Sequence, residues 1–184
     1  MYEKLIQLLN QKKPIMNKSI IILVTLLISI VLTISTFPLG AFSPEWTQLF
    51  LIYWILALPM SVGLFMSWMI GLLMDVALGS TLGINALMYT AVSYFIFKVH
   101  HIIRYITVFQ QSIVISIILL VKITFVLWIN AMLDIENYGL SLYWTCLTSS
   151  LLWPAVYYLL RVITVSYTHL RAHETEADLV CRLL

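Results

Sequence analysis

The sequence predicts an all-α fold, a polytopic membrane bundle of six transmembrane helices, and three observations predict it. Hydrophobic residues make up 62% of the 184-residue chain and charged residues only 10%, against roughly 45–50% and about 25% in soluble domains. Several apolar runs approach the ~20 residues needed to cross ~30 Å of hydrocarbon, which leaves little chain for a soluble domain. The basic residues cluster beside those runs, where they report orientation. A formal net charge of +2 gives no reason to expect a nucleic-acid partner. Cys146 lies inside an apolar run and Cys181 near the C-terminus, which is neither a disulfide framework nor a metal-ligand spacing.

Residues 1–18 carry Lys4, Lys12, Lys13 and Lys18 against the single Glu3, so this basic segment is expected in the cytoplasm. The uncharged run 19–37 exceeds the ~7–15 residues of a signal-peptide core and reads as a first, uncleaved span. Pro38, Gly40 and Pro44, with no Lys or Arg among them, mark a turn on the outer face. The second span begins at Trp46 and stops at Pro59, since the residue before a proline is disfavoured in helix. A tight turn over 60–62 leads into the third span. The fourth covers 84–97 and is followed by Lys98, His100, His101 and Arg104, read as a basic loop. The fifth covers 109–132, contains Lys122, and precedes the acidic Asp134 and Glu136; the sixth covers 140–163 and is closed by Arg161. Counting crossings from a cytoplasmic N-terminus places the basic 98–104 segment inside, the acidic loop outside and Arg161 inside, so both termini fall in the cytoplasm.

The remaining stretch, 166–184 (SYTHLRAHETEADLVCRLL), departs from everything before it in polarity. It resembles translated cloning read-through, and such segments are set aside in fold reasoning. The expected organisation is therefore a basic segment at 1–18, a six-helix domain at 19–165 and a non-native tail at 166–184.

The third span, 63–83 (GLFMSWMIGLLMDVALGSTLG), organises the rest. Gly63, Ser67, Gly71, Asp75, Gly79 and Gly83 fall at every fourth position, which on a helix is a single slowly drifting stripe. Lipid is as apolar as leucine, so helices associate in a bilayer by close approach and hydrogen bonds, and small residues permit that approach. This segment is accordingly expected to be the most enclosed helix. A carboxylate at bilayer depth costs ~3 kcal/mol on insertion scales, so Asp75 must face protein or water and have a partner. Lys122 is the other ionisable residue within a span and a candidate for that partner; the alternative is that Asp75 accepts hydrogen bonds from the 79–83 break or a neighbouring hydroxyl.

An enzyme would need a nucleophile and base at one depth. Ser80 sits in G-S-T-L-G, which is not a nucleophile elbow, and His100 and His101 fall on the opposite membrane face by the topology above. Zinc-ligand motifs, paired aspartates and phosphate-cradling glycine loops are not found in the sequence. No catalytic, metal or cofactor site is expected. Trp46, Tyr53, Trp54, Trp144 and Trp153 read as interfacial anchors. Pro154, next to Trp153, removes a backbone hydrogen bond inside the sixth span that neighbouring helices must replace, and so marks a packed contact.

Four stretches together resemble a known family: PEWTQLFLIYWILALP at 44–59, GLLMDVALGSTLG at 71–83, Phe109-Gln110-Gln111 at the start of the fifth span, and LLWPAVYYLLR at 151–161. They are similar to MreD, the rod-shape-determining membrane protein of bacteria in its proteobacterial form, over residues 20–163. The resemblance implies a non-enzymatic inner-membrane subunit of the elongation machinery that organises peptidoglycan synthesis. It implies direct association with MreC and joint action with MreB, RodA and the penicillin-binding transpeptidase of RodA. It also implies a fold similar to the substrate-binding subunits of energy-coupling-factor transporters. Lys122 matches no family motif. A scaffold predicts a packed bundle, whereas a transporter subunit predicts an enclosed polar pocket reached from outside; the few interior polar groups favour the scaffold.

Overall fold

Glycine, proline and capping residues cut the apolar sequence into helices in the computed structural model, which describes residues 18–36, 40–59, 61–134 and 142–182, with side chains in the last segment as far as 165. Among these residues the fold is all-helical: α1 (Lys18–Ile34), a 3-10 turn (Gly40–Phe42), α2 (Trp46–Ala57), α3 (Leu64–Leu78), α4 (Ile84–Tyr105), α5 (Val108–Met132) and α6 (Leu142–Arg182). The basic segment before Lys18 and most of the acidic loop lie outside the described residues. Three helical stretches, α4, α5 and Leu142–Val165 of α6, are long and apolar enough to cross a membrane; α1, α2 and α3 are apolar but shorter. With 12 residues, α2 is only about 18 Å long at ~1.5 Å per residue.

The centre of the bundle is α2, ringed by α1, α4 and α6, while α3 pairs chiefly with α4 and α5 with α6. This corrects the expectation that the 63–83 segment is the most enclosed. Ten of the 12 residues of α2 are buried, on every side of the helix, whereas α3 buries five of 15: Ser67, Ile70, Gly71, Met74 and Asp75. Both helices are apolar on every side, and lipid solvates an apolar face as well as a neighbouring helix does, so the difference lies in which close approaches and hydrogen bonds each helix makes. The rest of α3 is turned outward, with Phe65, Trp68, Leu73 and Val76 exposed.

Two further expectations change. Lys98, His100, His101 and Arg104 are not in a loop: α4 continues helical to Tyr105, and only residues 106 and 107 separate it from α5. Tyr53, Trp54 and Trp153 do not face lipid as anchors would but are buried among the helices. Each directs its polar atom to a neighbouring helix, as buried aromatics require: the Trp54 indole N–H donates to Thr25 Oγ1 at 2.9 Å, Tyr53 and Thr164 share a hydroxyl hydrogen bond of 2.9 Å, and Trp153 donates to Gln111 Oε1 at 3.2 Å. Trp144 is exposed.

Candidate functional site: a polar cluster where α3 turns into α4

α3 ends because Gly79 takes the left-handed conformation (φ 62°) that closes a helix without a Cβ penalty. The chain re-enters helix at Gly83, also at positive φ (101°), which offers α4 no capping side chain of its own. Asp75 supplies the cap. Its Oδ1 accepts from Ser80 Oγ at 2.8 Å and from the Asn85 N–H at 3.0 Å. Its Oδ2 accepts from the Gly83 N–H at 2.8 Å and the Ala86 N–H at 3.2 Å. A carboxylate is the suitable acceptor here, because the first N–H groups of a helix have no intrahelical partner and carry its positive dipole end. Asn85 Nδ2 also donates to Ser80 Oγ at 3.0 Å, so the G-S-T-L-G turn and the first turn of α4 are bound to one side chain, 1% exposed.

The small-residue stripe divides into distinct roles. A Cβ at Gly71 would lie 2.4 Å from Ala86 Cα and 2.8 Å from the Ala86 nitrogen, so the α3 and α4 backbones touch there. Ser67 is buried on the same stripe. Gly79 and Gly83 serve the turn through their φ angles, and a Cβ at Gly63 meets nothing within 4 Å.

Lys122 is not Asp75's partner. Its ammonium pairs with Glu45, the residue before α2, and sits 4.6 Å from the centroid of the Tyr89 ring on α4. The Glu45 N–H donates to Ser149 Oγ on α6 at 3.0 Å. Glu45 and Lys122 thus join α2, α4, α5 and α6 at one point. Nothing in the sequence singles out Glu45, because it precedes α2 in a Pro/Ser-containing turn and no local signal shows that a lysine 77 positions later folds over it. The hydroxyl stripe of α1 gives no sequence signal either: Thr25 receives Trp54, and Thr33 bonds Thr47 of α2 at 2.9 Å.

A cavity of about 360 Å³ opens beside this cluster. Glu45, Ser80, Thr81, Asn85, Lys122 and Asn130 provide its polar lining, with Leu78, Ile84, Ile123, Val126 and Leu142 between them. Asn130, on this wall, is buried. His100 and His101 lie at the other end of α4, about 24 Å along the helix at ~1.5 Å per residue, so the structure does not bring them to Ser80. Among the described residues no group of three or more His, Cys, Asp or Glu is placed to hold a metal ion.

At that other end Gln111 Nε2 donates to the Ile103 carbonyl at 3.0 Å. Through the Trp153 bond above, this ties α4 and α5 to α6 one residue before Pro154. Thr107 and Gln110 form a reciprocal capping box at the start of α5. The 71–83, 109–111 and 151–161 stretches are thus where separate helices are tied together.

The family of rod shape-determining protein MreD matches residues 13–163. Rod shape-determining protein MreD of Haemophilus influenzae (strain ATCC 51907 / DSM 11121 / KW20 / Rd) is 34% identical over 145 residues, which cover 74% of this chain and 85% of that protein. No solved structure matches the chain. With its membrane-capable helices and a match over most of its length, the chain belongs to the MreD family of rod shape-determining membrane proteins.

Proposed function

We propose that the chain is a non-enzymatic subunit of the cell-elongation complex in the bacterial inner membrane, organising peptidoglycan synthesis with MreC as direct partner and with MreB, RodA and its transpeptidase. The observation that carries this reading is how the interior polar groups are engaged. Both oxygens of Asp75 are taken by the α3–α4 turn, and Lys122 is taken by Glu45. Groups so committed hold helices in register, as a scaffold needs. The chain crosses the membrane six times with both termini in the cytoplasm, in an arrangement akin to energy-coupling-factor binding subunits. The short α2 and α3 are sheltered by longer neighbours. Gly63, Ser67, Gly71, Asp75, Gly79, Ser80, Gly83, Lys122, Trp153 and Pro154 serve helix packing and partner contact, and residues 166–184 are dispensable.

In a strain depleted of its own MreD, the chain and a version ending at Val165 both restore rod shape and co-purify with MreC. Stable insertion without shape rescue or MreC capture would overturn the reading. A second reading, a small-molecule-binding subunit of a transporter, is favoured by the cavity of about 360 Å³ and the polar side chains of Glu45, Ser80, Asn85, Lys122 and Asn130 on its wall. Mass spectrometry of small molecules carried by the purified chain separates the two, since a scaffold carries no stoichiometric ligand and a transporter subunit does.

A further inference from the structure

We propose that the last two turns of α4 and the start of α5 form a binding band for anionic phospholipid headgroups, with Lys98 and Arg104 as its cations and His101 as a hydrogen-bonding group between them. Lys98, His101 and Tyr105 follow at i, i+3 and i+7, one stripe of the helix surface, with Ile102 and Arg104 alongside. All five are exposed. Cations and large apolar groups are interleaved in this band: Ile102 is 68%, Tyr105 92% and Phe109 78% exposed. Bulk water does not favour such apolar exposure and hydrocarbon does not favour the charges; the headgroup layer accommodates both. An acidic soluble protein would match the charges but leave the interleaved apolar groups unexplained.

Among the described residues no carboxylate pairs with the band, and the band is rigid. The sequence has no Asp or Glu from 76 to 133, and the Lys122–Glu45 ion pair lies toward the opposite end of the bundle. Arg104 donates once, from Nη2 to the Ala57 carbonyl at 3.0 Å, which steadies the guanidinium and leaves donors of its fork for a phosphate. His100 is left out of the band, since its ring stacks on Phe97 and its Nδ1 is 2.5 Å from the Phe97 carbonyl. Because the α4–α5 junction is closed by the Thr107–Gln110 capping box and by Gln111, the cations ride on fixed helix and not on a loop. This inference stands apart from the elongation-complex reading and is tested without it.

The test is native mass spectrometry of the full chain reconstituted in bilayers of equal phosphatidylcholine and phosphatidylglycerol, counting the lipids that remain bound. The wild type retains phosphatidylglycerol preferentially, and the K98Q/H101Q variant loses that preference by about 5-fold for the lysine alone. K98R retains the preference, which separates charge from helix packing, and R104Q lowers it further if the variant still inserts. Raising the salt concentration weakens it, as expected for exposed charges. Equal retention of both lipids by the wild type, or an unchanged preference in K98Q/H101Q, overturns the proposal. A wild type without lipid preference whose K98Q/H101Q form loses a co-purifying protein assigns the band to an acidic partner instead, and overturns it too.

Discussion

Helices α2 and α3 are alike in composition and both short, yet one is the core of the bundle and the other its flank. α2 is enclosed on all sides by helices from distant parts of the chain, and its anchors are long-range: Glu45 reaches Lys122 and Ser149, 77 and 104 positions away. α3 is held along one narrow stripe, and its anchors are local: the carboxylate of Asp75 bonds only residues 80 to 86. In a bilayer, burying apolar surface between helices contributes little, because lipid already solvates it. What distinguishes the two helices is therefore the geometry of their hydrogen bonds and close approaches. α3 and α4 form a self-contained hairpin; α2 exists as a core only when other helices have assembled around it.

Five substitutions sharpen this contrast. Gly71→Leu is expected to have the largest effect: its Cβ would meet backbone atoms of Ala86 at under 3 Å, and backbone cannot rotate aside. The α3–α4 hairpin should lose more than about 3 kcal/mol, seen as loss of folded protein in membrane fractions. Normal accumulation would show that the hairpin tolerates separation and is not a rigid unit. Glu45→Gln follows, at about 3 kcal/mol, because it leaves the Lys122 ammonium buried without a counter-ion. The side chain of Lys122 is 3% exposed and that of Glu45 23%, so Lys122→Met should cost less, and the double variant E45Q/K122M should recover much of the loss in thermal unfolding. Additive losses in the double variant would mean the pair is not coupled.

Asp75→Asn keeps the shape of the side chain but replaces one accepting oxygen with a donor, facing either the Ser80 and Asn85 pair or the Gly83 and Ala86 pair of donors. About 2 kcal/mol is expected, from the loss of hydrogen bonds to a charged acceptor. The loss should be confined to α3 and α4 in hydrogen-exchange measurements, leaving α2 protected. An Asp75→Asn protein of normal stability that binds MreC but leaves cells round would give the carboxylate a role beyond capping. The smallest effect, and the only gain, is at Gln48, which is fully buried in α2 with neither amide atom hydrogen-bonded. Gln48→Met removes two unpaired polar groups at nearly constant volume, so the midpoint of thermal unfolding should rise, by about 1 kcal/mol in stability. A fall would reveal a partner for that amide that the isolated chain lacks.

Legibility in the sequence follows the range of the interaction. The break at 79–83, the carboxylate four residues before it and the glycines at 71, 79 and 83 all lie within one hairpin, so spacing alone points to Asp75 and its surroundings. The end of α2 before Pro59 is readable for the same reason. The start of the fifth span is legible to within a residue, but the extent of α4 is not: a run of basic residues reads as a loop, although cations suit the C-terminal end of a helix dipole and Gln111 takes the Ile103 carbonyl there. The aromatics of α2 read as membrane anchors because Tyr and Trp suit interfaces. Only the hydroxyls of Thr25 and Thr164, on two other helices, make their burial tolerable.

By itself the sequence determined that the chain is helical and built for a membrane, where most of its helices begin and stop, and that Asp75 is enclosed and in need of a partner. Each of these follows from periodicity, backbone φ preferences and the cost of charge in hydrocarbon, all of which act over a few residues. The tertiary structure alone decided which helix is central, that Lys122 pairs with Glu45 and not Asp75, that a cavity lies beside them, and that cations and aromatics share one surface at the far end of α4. Those outcomes depend on which helices meet, and when lipid solvates every apolar face equally well, no local pattern of hydrophobicity can choose between the alternatives.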